Sequence, residues 1–147
     1  MIEHPGRGKL CLHLPAVLAL LLKLRLLRRR ATLDQLVQTC TPPPGRRTLP
    51  AERAEAAAWA ARTITLRLPW LFPQPCLYAA LAGYHWLRAA GREIELRCGV
   101  RQAGGTFQAH VWLTEAGRPC FGSADCAGFV ETLCLPRRTP TGPAQDA

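Results

Sequence analysis

Apolar residues recur at helical spacing up to Ala90 and then switch to strict alternation after Gly91. The first periodic stretch runs from Leu10 to about Arg30, with Leu12, Val17, Leu20, Leu21, Leu24 and Leu27 among its apolar positions. Leucine stands on nearly every face of it, so this helix is expected to dock on the core or on a partner. A short second helix is expected over Thr32–Thr39, with Thr32 as its cap and Asp34 in its first turn. Pro42-Pro-Pro-Gly-Arg-Arg breaks the pattern. The third helix is placed from Pro50, in the first turn, to about Leu66. Ala54, Ala57, Ala58 and Ala61 favour it and Trp59 anchors it. Three prolines then stiffen the approach to Cys76, and Pro75 disfavours helical backbone at Gln74. That sets the start of a fourth helix, Cys76 to about Ala90, with Leu77, Leu81, Tyr84 and Leu87 on one stripe and Gly91 just past its end.

After Gly91 the period is two. Ile94, Leu96, Cys98 and Val100 alternate with Glu93, Glu95, Arg97 and Gly99, which reads as a half-buried strand. Gly104-Gly105 makes a turn into a strand over Thr106–Thr114. Its two faces carry Phe107, Ala109, Val111 and Leu113, and Gln108, His110, Trp112 and Thr114. Ala116-Gly117 is a second turn, Arg118–Phe121 a short third strand and Phe129–Leu135 a fourth. Helices followed by a small antiparallel sheet define an α+β fold. The division expected is a basic, Leu- and Arg-rich helical region over 1–50, which joins the same domain or extends it for docking. A core over 51–136 and a tail over 137–147 complete it.

A chain of 147 residues, 48% of them hydrophobic, is the size of one ordinary domain. Its net charge is +9, and five basic residues fall between Lys23 and Arg30. Such a cluster suits an acidic peptide or a lipid surface. No Arg- and aromatic-rich module signature accompanies it, so nucleic acid is not an expected partner. The apolar part of the first helix is shorter than the roughly 20 residues that span a bilayer. For residues 10–30 protein docking is preferred, with membrane-surface contact as the alternative. Seven Cys without a CxxC pair, and no secretory signal, place the chain in a reducing cytoplasm. The spacings of Cys120, Cys126 and Cys134 fit no familiar zinc pattern, so neither metal nor cofactor is expected.

The chemistry centres on Cys76 and His110. A thiol in the first turn of a helix faces the positive end of its dipole, a setting that favours the thiolate, and a His on a neighbouring strand can serve as its base. The Cys76 backbone N–H is a natural oxyanion donor; Gln74 and Trp112 are candidates for oxyanion or substrate contact. Of the other histidines, His4 is in the tail, His13 in the first helix, and His85 about 13 Å along the axis from Cys76. Three acids compete to orient His110. Glu115 points to the opposite face of a regular strand, Glu131 is more remote, and Asp125 follows the next strand and can fold back.

The wording around these residues resembles a known family. Pro75-Cys-Leu-Tyr-Ala-Ala-Leu-Ala-Gly-Tyr-His-Trp-Leu-Arg-Ala-Ala-Gly, Leu96-Arg-Cys-Gly-Val-Arg, Phe107-Gln-Ala-His-Val-Trp-Leu and Gly117-Arg-Pro are similar to the transglutaminase-like leader peptidase of lasso-peptide biosynthesis, the peptidase half of the B protein. The resemblance covers roughly residues 12–135, with its sharp motifs in 75–122. It implies a papain- or transglutaminase-like core and a cysteine protease that removes the leader from a ribosomally made precursor. It also implies two partners, a separate leader-recognition protein and an ATP-dependent cyclase that closes the ring. The family nucleophile carries over to Cys76 and its base to His110. The family acid falls here on Gly122, with Asp125 shortly after, and Val111 stands where Ala is usual. Two other expectations compete: a catalytically degenerate module that presents the precursor, and acyl transfer to an amine in place of water.

Overall fold

A computed structural model describes residues 13–43, 49–121 and 126–137. Among these, α1 spans Leu14–Leu27, α2 Leu33–Cys40, α3 Ala51–Arg67 and α4 Pro75–Ala89. The strands are β1 Ile94–Ala103, β2 Thr106–Glu115, β3 Arg118–Cys120 and β4 Val130–Leu135. The α+β arrangement expected from the sequence is thus observed. The predicted residues 1–12, the Pro-rich break over 44–48 and the tail over 138–147 lie outside the described residues.

α1 docks by one face. Val17, Leu21 and Leu24 are fully buried and Leu20 and Leu27 pack beside them, whereas Leu14, Leu18, Leu22 and Leu26 face outward. α2 begins with a reciprocal cap. Thr32 Oγ1 accepts from the Gln35 N–H at 3.3 Å, and Gln35 Oε1 accepts from the Thr32 N–H at 2.8 Å. Such a box satisfies two donors that the first turn leaves without partners. Thr32→Ala is expected to cost about 1 kcal/mol and lower Tm by a few degrees. A thermal melt with an unshifted midpoint would show that this pair carries no stability.

α3 starts one residue later than the sequence reading. Pro50 is its N-cap, with ψ at 144°, and the Pro50 carbonyl accepts from the Arg53 and Ala54 N–H groups at 3.1 Å each. Ala54, Ala57, Ala58 and Ala61 are buried, and side chains this small let α3 lie close against α4. Trp59 does anchor this helix: its ring lies 4.9 Å from that of Phe121. α4 is the centre of the molecule, with eleven of its fifteen residues buried. The Tyr84 and Thr41 hydroxyls, hydrogen-bonded at 3.0 Å, tie it to the end of α2.

Two tight turns build the sheet. Gly104 and Gly105 have φ of 58° and 79°, the left-handed pair that matches the twist of a two-residue hairpin. Ala116 and Gly117 repeat this at 49° and 75°. The strand order is β3-β2-β1-β4, so β4 returns to the far edge and pairs with β1. Leu96 opposite Leu113 and Cys98 opposite Val111 form the face packed on α4. Val17, Leu21, Leu36 and Val37 belong to the same core as Leu81, Leu87, Ile94 and Leu135.

Candidate active site

Cys76 is the second residue of α4, after Pro75. The Gln74 carbonyl accepts from the Leu77 and Tyr78 N–H groups at 3.0 and 3.3 Å, and Pro75 has no N–H. The Cys76 N–H is therefore the first donor of the helix available to a ligand. The thiol is half-buried on a helix whose remainder is fixed in the core.

His110 comes from β2, half-buried. Its ring stacks on Trp112 with centroids 6.1 Å apart and planes 18° from parallel, and it lies 5.2 Å from the Phe129 ring. The Arg101 guanidinium lies over the Phe129 ring, 4.6 Å from its centroid. Trp112 in turn lies over Gly99, where any Cβ would meet the indole at 2.7 Å.

Cys76 and His110 both line two adjoining cavities. One, about 30 Å³, is also lined by Arg62, Ala79, Trp112 and Phe121. The other, about 340 Å³, extends between the α1–α2 junction and the sheet, past Leu33, Leu36, Gln74, Cys98 and Ala109. That volume lies within the range of small-ligand pockets, roughly 300–1,000 Å³. Gln74 and Trp112 thus border the space shared by Cys76 and His110, one on each side. The larger cleft is lined by aliphatic side chains such as Leu33, Leu36 and Leu77 together with polar ones, Arg28, Thr32, Gln74 and Thr132. Cys98 and Phe129 were not singled out as site residues in the sequence. The inward alternation of Ile94, Leu96 and Cys98 was the signal for the first; none pointed to Phe129.

Two of the three candidate acids are held elsewhere. Both oxygens of Glu115 accept from Arg92, at 3.0 and 2.6 Å, and this guanidinium holds its carboxyl below the usual carboxylate range. Glu131 pairs with Arg97, which also holds Glu95. Asp125 lies outside the described residues, as does the family acid position, Gly122.

The other thiols and histidines contrast with the pair. Burial pushes Cys40 up to about 12 and Cys98 and Cys120 up to about 11, so at neutral pH they stay protonated. Cys98 is also close enough to Cys76 to feel a charge there. His13 caps α1 and His85 Nδ1 meets the Cys40 carbonyl at 3.0 Å, away from the cleft. Among the described residues no cluster of three His, Cys, Asp or Glu side chains fits a metal ion, and no helix is long and apolar enough to cross a membrane.

Burial lowers the pKa of His85 from 6.5, against the hydrogen bond to Cys40. The unfolded chain therefore binds more protons than the folded one once the pH falls below about 6.5. Stability present above that pH is lost as the pH falls towards the lower folded value. Denaturant midpoints measured from pH 7.5 to 5.5 are expected to fall in the wild type and to fall less in His85→Gln. Equal slopes would remove His85 from the acid response.

The pattern of the transglutaminase-like superfamily matches residues 16–134, and the chain belongs to that superfamily. The match runs from the first turn of α1 into β4, so it takes in both helix pairs as well as the sheet. No curated protein and no solved structure matches the chain.

Proposed function

We propose that this chain is a thiol peptidase that removes the leader from a ribosomally synthesised lasso-peptide precursor. The observation that carries the peptidase reading is the joint lining of two cavities by Cys76, in the first turn of α4, and His110, on β2. The leader-peptidase assignment rests on the motifs around residues 75–122, and superfamily membership supports it. His110 takes the Cys76 proton as Sγ attacks the carbonyl carbon of the last leader residue. The Cys76 N–H, with Gln74 as the second candidate donor, holds the oxyanion. The C–N bond then breaks as His110 returns the proton to the departing core-peptide amine. Water, activated by the same imidazole, hydrolyses the thioester and frees the leader. Asp125 is the candidate to orient His110. A separate recognition protein presents the leader in the cytoplasm, and an ATP-dependent cyclase takes the product.

Brief alkylation with iodoacetamide at pH 7, read by mass spectrometry, tests the pair. Cys76 is expected to label well ahead of the other six thiols, and His110→Ala is expected to abolish that lead. Labelling of Cys76 at the rate of the others, indifferent to His110, would remove the peptidase reading and favour a presenting module, which binds precursor without cutting it.

A further inference from the structure

The outward face of α1 is apolar where a solvent face is normally polar. Leu14, Leu18, Leu22 and Leu26 recur every fourth residue and are 38, 39, 48 and 71% exposed. The opposite face already fills the core with Val17, Leu21 and Leu24. Each four-residue step advances about 40° around a helix, so the four leucines sweep about 120° of its surface. Lys23 borders this stripe on one side and Arg25 on the other, and Arg28, Arg29 and Arg30 continue the charge at its end. No acidic residue stands between Leu14 and Leu33. The nearest, Asp34, is 3.5 Å from Arg137.

We propose that this face lays α1 in the plane of an anionic lipid surface. The leucines enter the boundary between headgroups and acyl chains, and Lys23, Arg25 and Arg29 meet the phosphates. A stable protein partner needs a complementary patch of about 800 Å² on each side. A single convex stripe about 18 Å long, bordered by cations and devoid of acids, matches the lipid surface better. The charge sets the sign of the headgroup, and the leucines set the depth. The proposal is independent of the chemistry at Cys76.

The test is flotation of the full chain with phosphatidylglycerol–phosphatidylcholine vesicles and with phosphatidylcholine vesicles alone. Binding is expected to be stronger with the anionic vesicles by about tenfold or more. A Lys23→Gln, Arg25→Gln, Arg29→Gln variant is expected to lose that preference. Leu22→Gln, Leu26→Gln is expected to weaken binding by about tenfold at unchanged charge. These side chains are exposed in the folded chain, and circular dichroism checks that both variants fold. No recovery with anionic vesicles overturns the proposal. So does recovery that ignores the leucine changes, which would be attraction of a +9 chain without insertion. A concentration-dependent dimer in gel filtration, dissolved by Leu22→Gln, would give the face to a second copy and overturn it as well.

Discussion

Cys76→Ala is expected to lower the rate of leader removal by about three orders of magnitude or more, because Cys98, the other thiol lining the cleft, is pushed up to about 11 by burial and stays protonated. His110→Ala is expected to cost about 10²–10⁴-fold, the usual contribution of a positioned acid and base. Both should melt near the wild-type temperature. Cys76 and His110 are only half-buried, and neither belongs to the core around Leu81 and Leu113. The measurement is single-turnover cleavage of the proposed precursor by the chain together with the proposed recognition protein, followed by mass spectrometry. A Cys76→Ala chain that still released the leader would end the assignment. In the proposed mechanism His110 and Cys76 act as one unit, so the double variant should be scarcely slower than Cys76→Ala alone. Additive losses would mean that the two residues serve different steps.

The second large effect is expected at Gly99. A Cβ there would sit 2.7 Å from the Trp112 ring and 2.8 Å from the Val130 backbone oxygen. The indole can turn aside, but the carbonyl belongs to a paired strand and moves only with it. Gly99→Ala should therefore cost about 1–3 kcal/mol, the usual scale of overpacking. It should also slow cleavage, because the ring it displaces is the one stacked on His110. Gly104→Ala is the control. It too loses a glycine, at φ of 58°, but nothing lies within 4 Å of its added Cβ. It should lose some stability through backbone strain and keep its rate. Comparing denaturant midpoints with kcat in the two variants separates the effects. A Gly99→Ala chain as stable and as fast as wild type would show that the indole has room to spare.

The sequence made the elements legible because each rested on local physics. Thr32 with Gln35, Pro75 before Cys76, Gly91 past α4 and the turns at Gly104-Gly105 and Ala116-Gly117 all mark boundaries that neighbouring residues determine. Where a helix begins within one residue was less legible: Pro50 suits both the first turn and the cap, and only its extended ψ decides. The strand order was not legible at all. Alternation says which face is buried but not which strand lies alongside, so the return of β4 to β1 carried no signal. At the site, Cys76 and His110 stood out by residue type and context. The commitments of Glu115 and Glu131 did not, because they depend on where Arg92 and Arg97 end up in space.

The burial of α4 has a consequence for how the molecule fails. A helix with eleven of fifteen residues inside the core has little room for local opening, so its hydrogen-bonded amides, from Leu77 onward, should exchange with solvent only when the whole fold opens. The Cys76 sulfur rides on that helix. Partial loosening elsewhere leaves its placement intact, and a population under thermal stress divides into molecules with a formed site and molecules with no fold. Variation that retunes the cleft without that risk is confined to its other walls, the α1–α2 junction and the outer half of the β1–β2 hairpin.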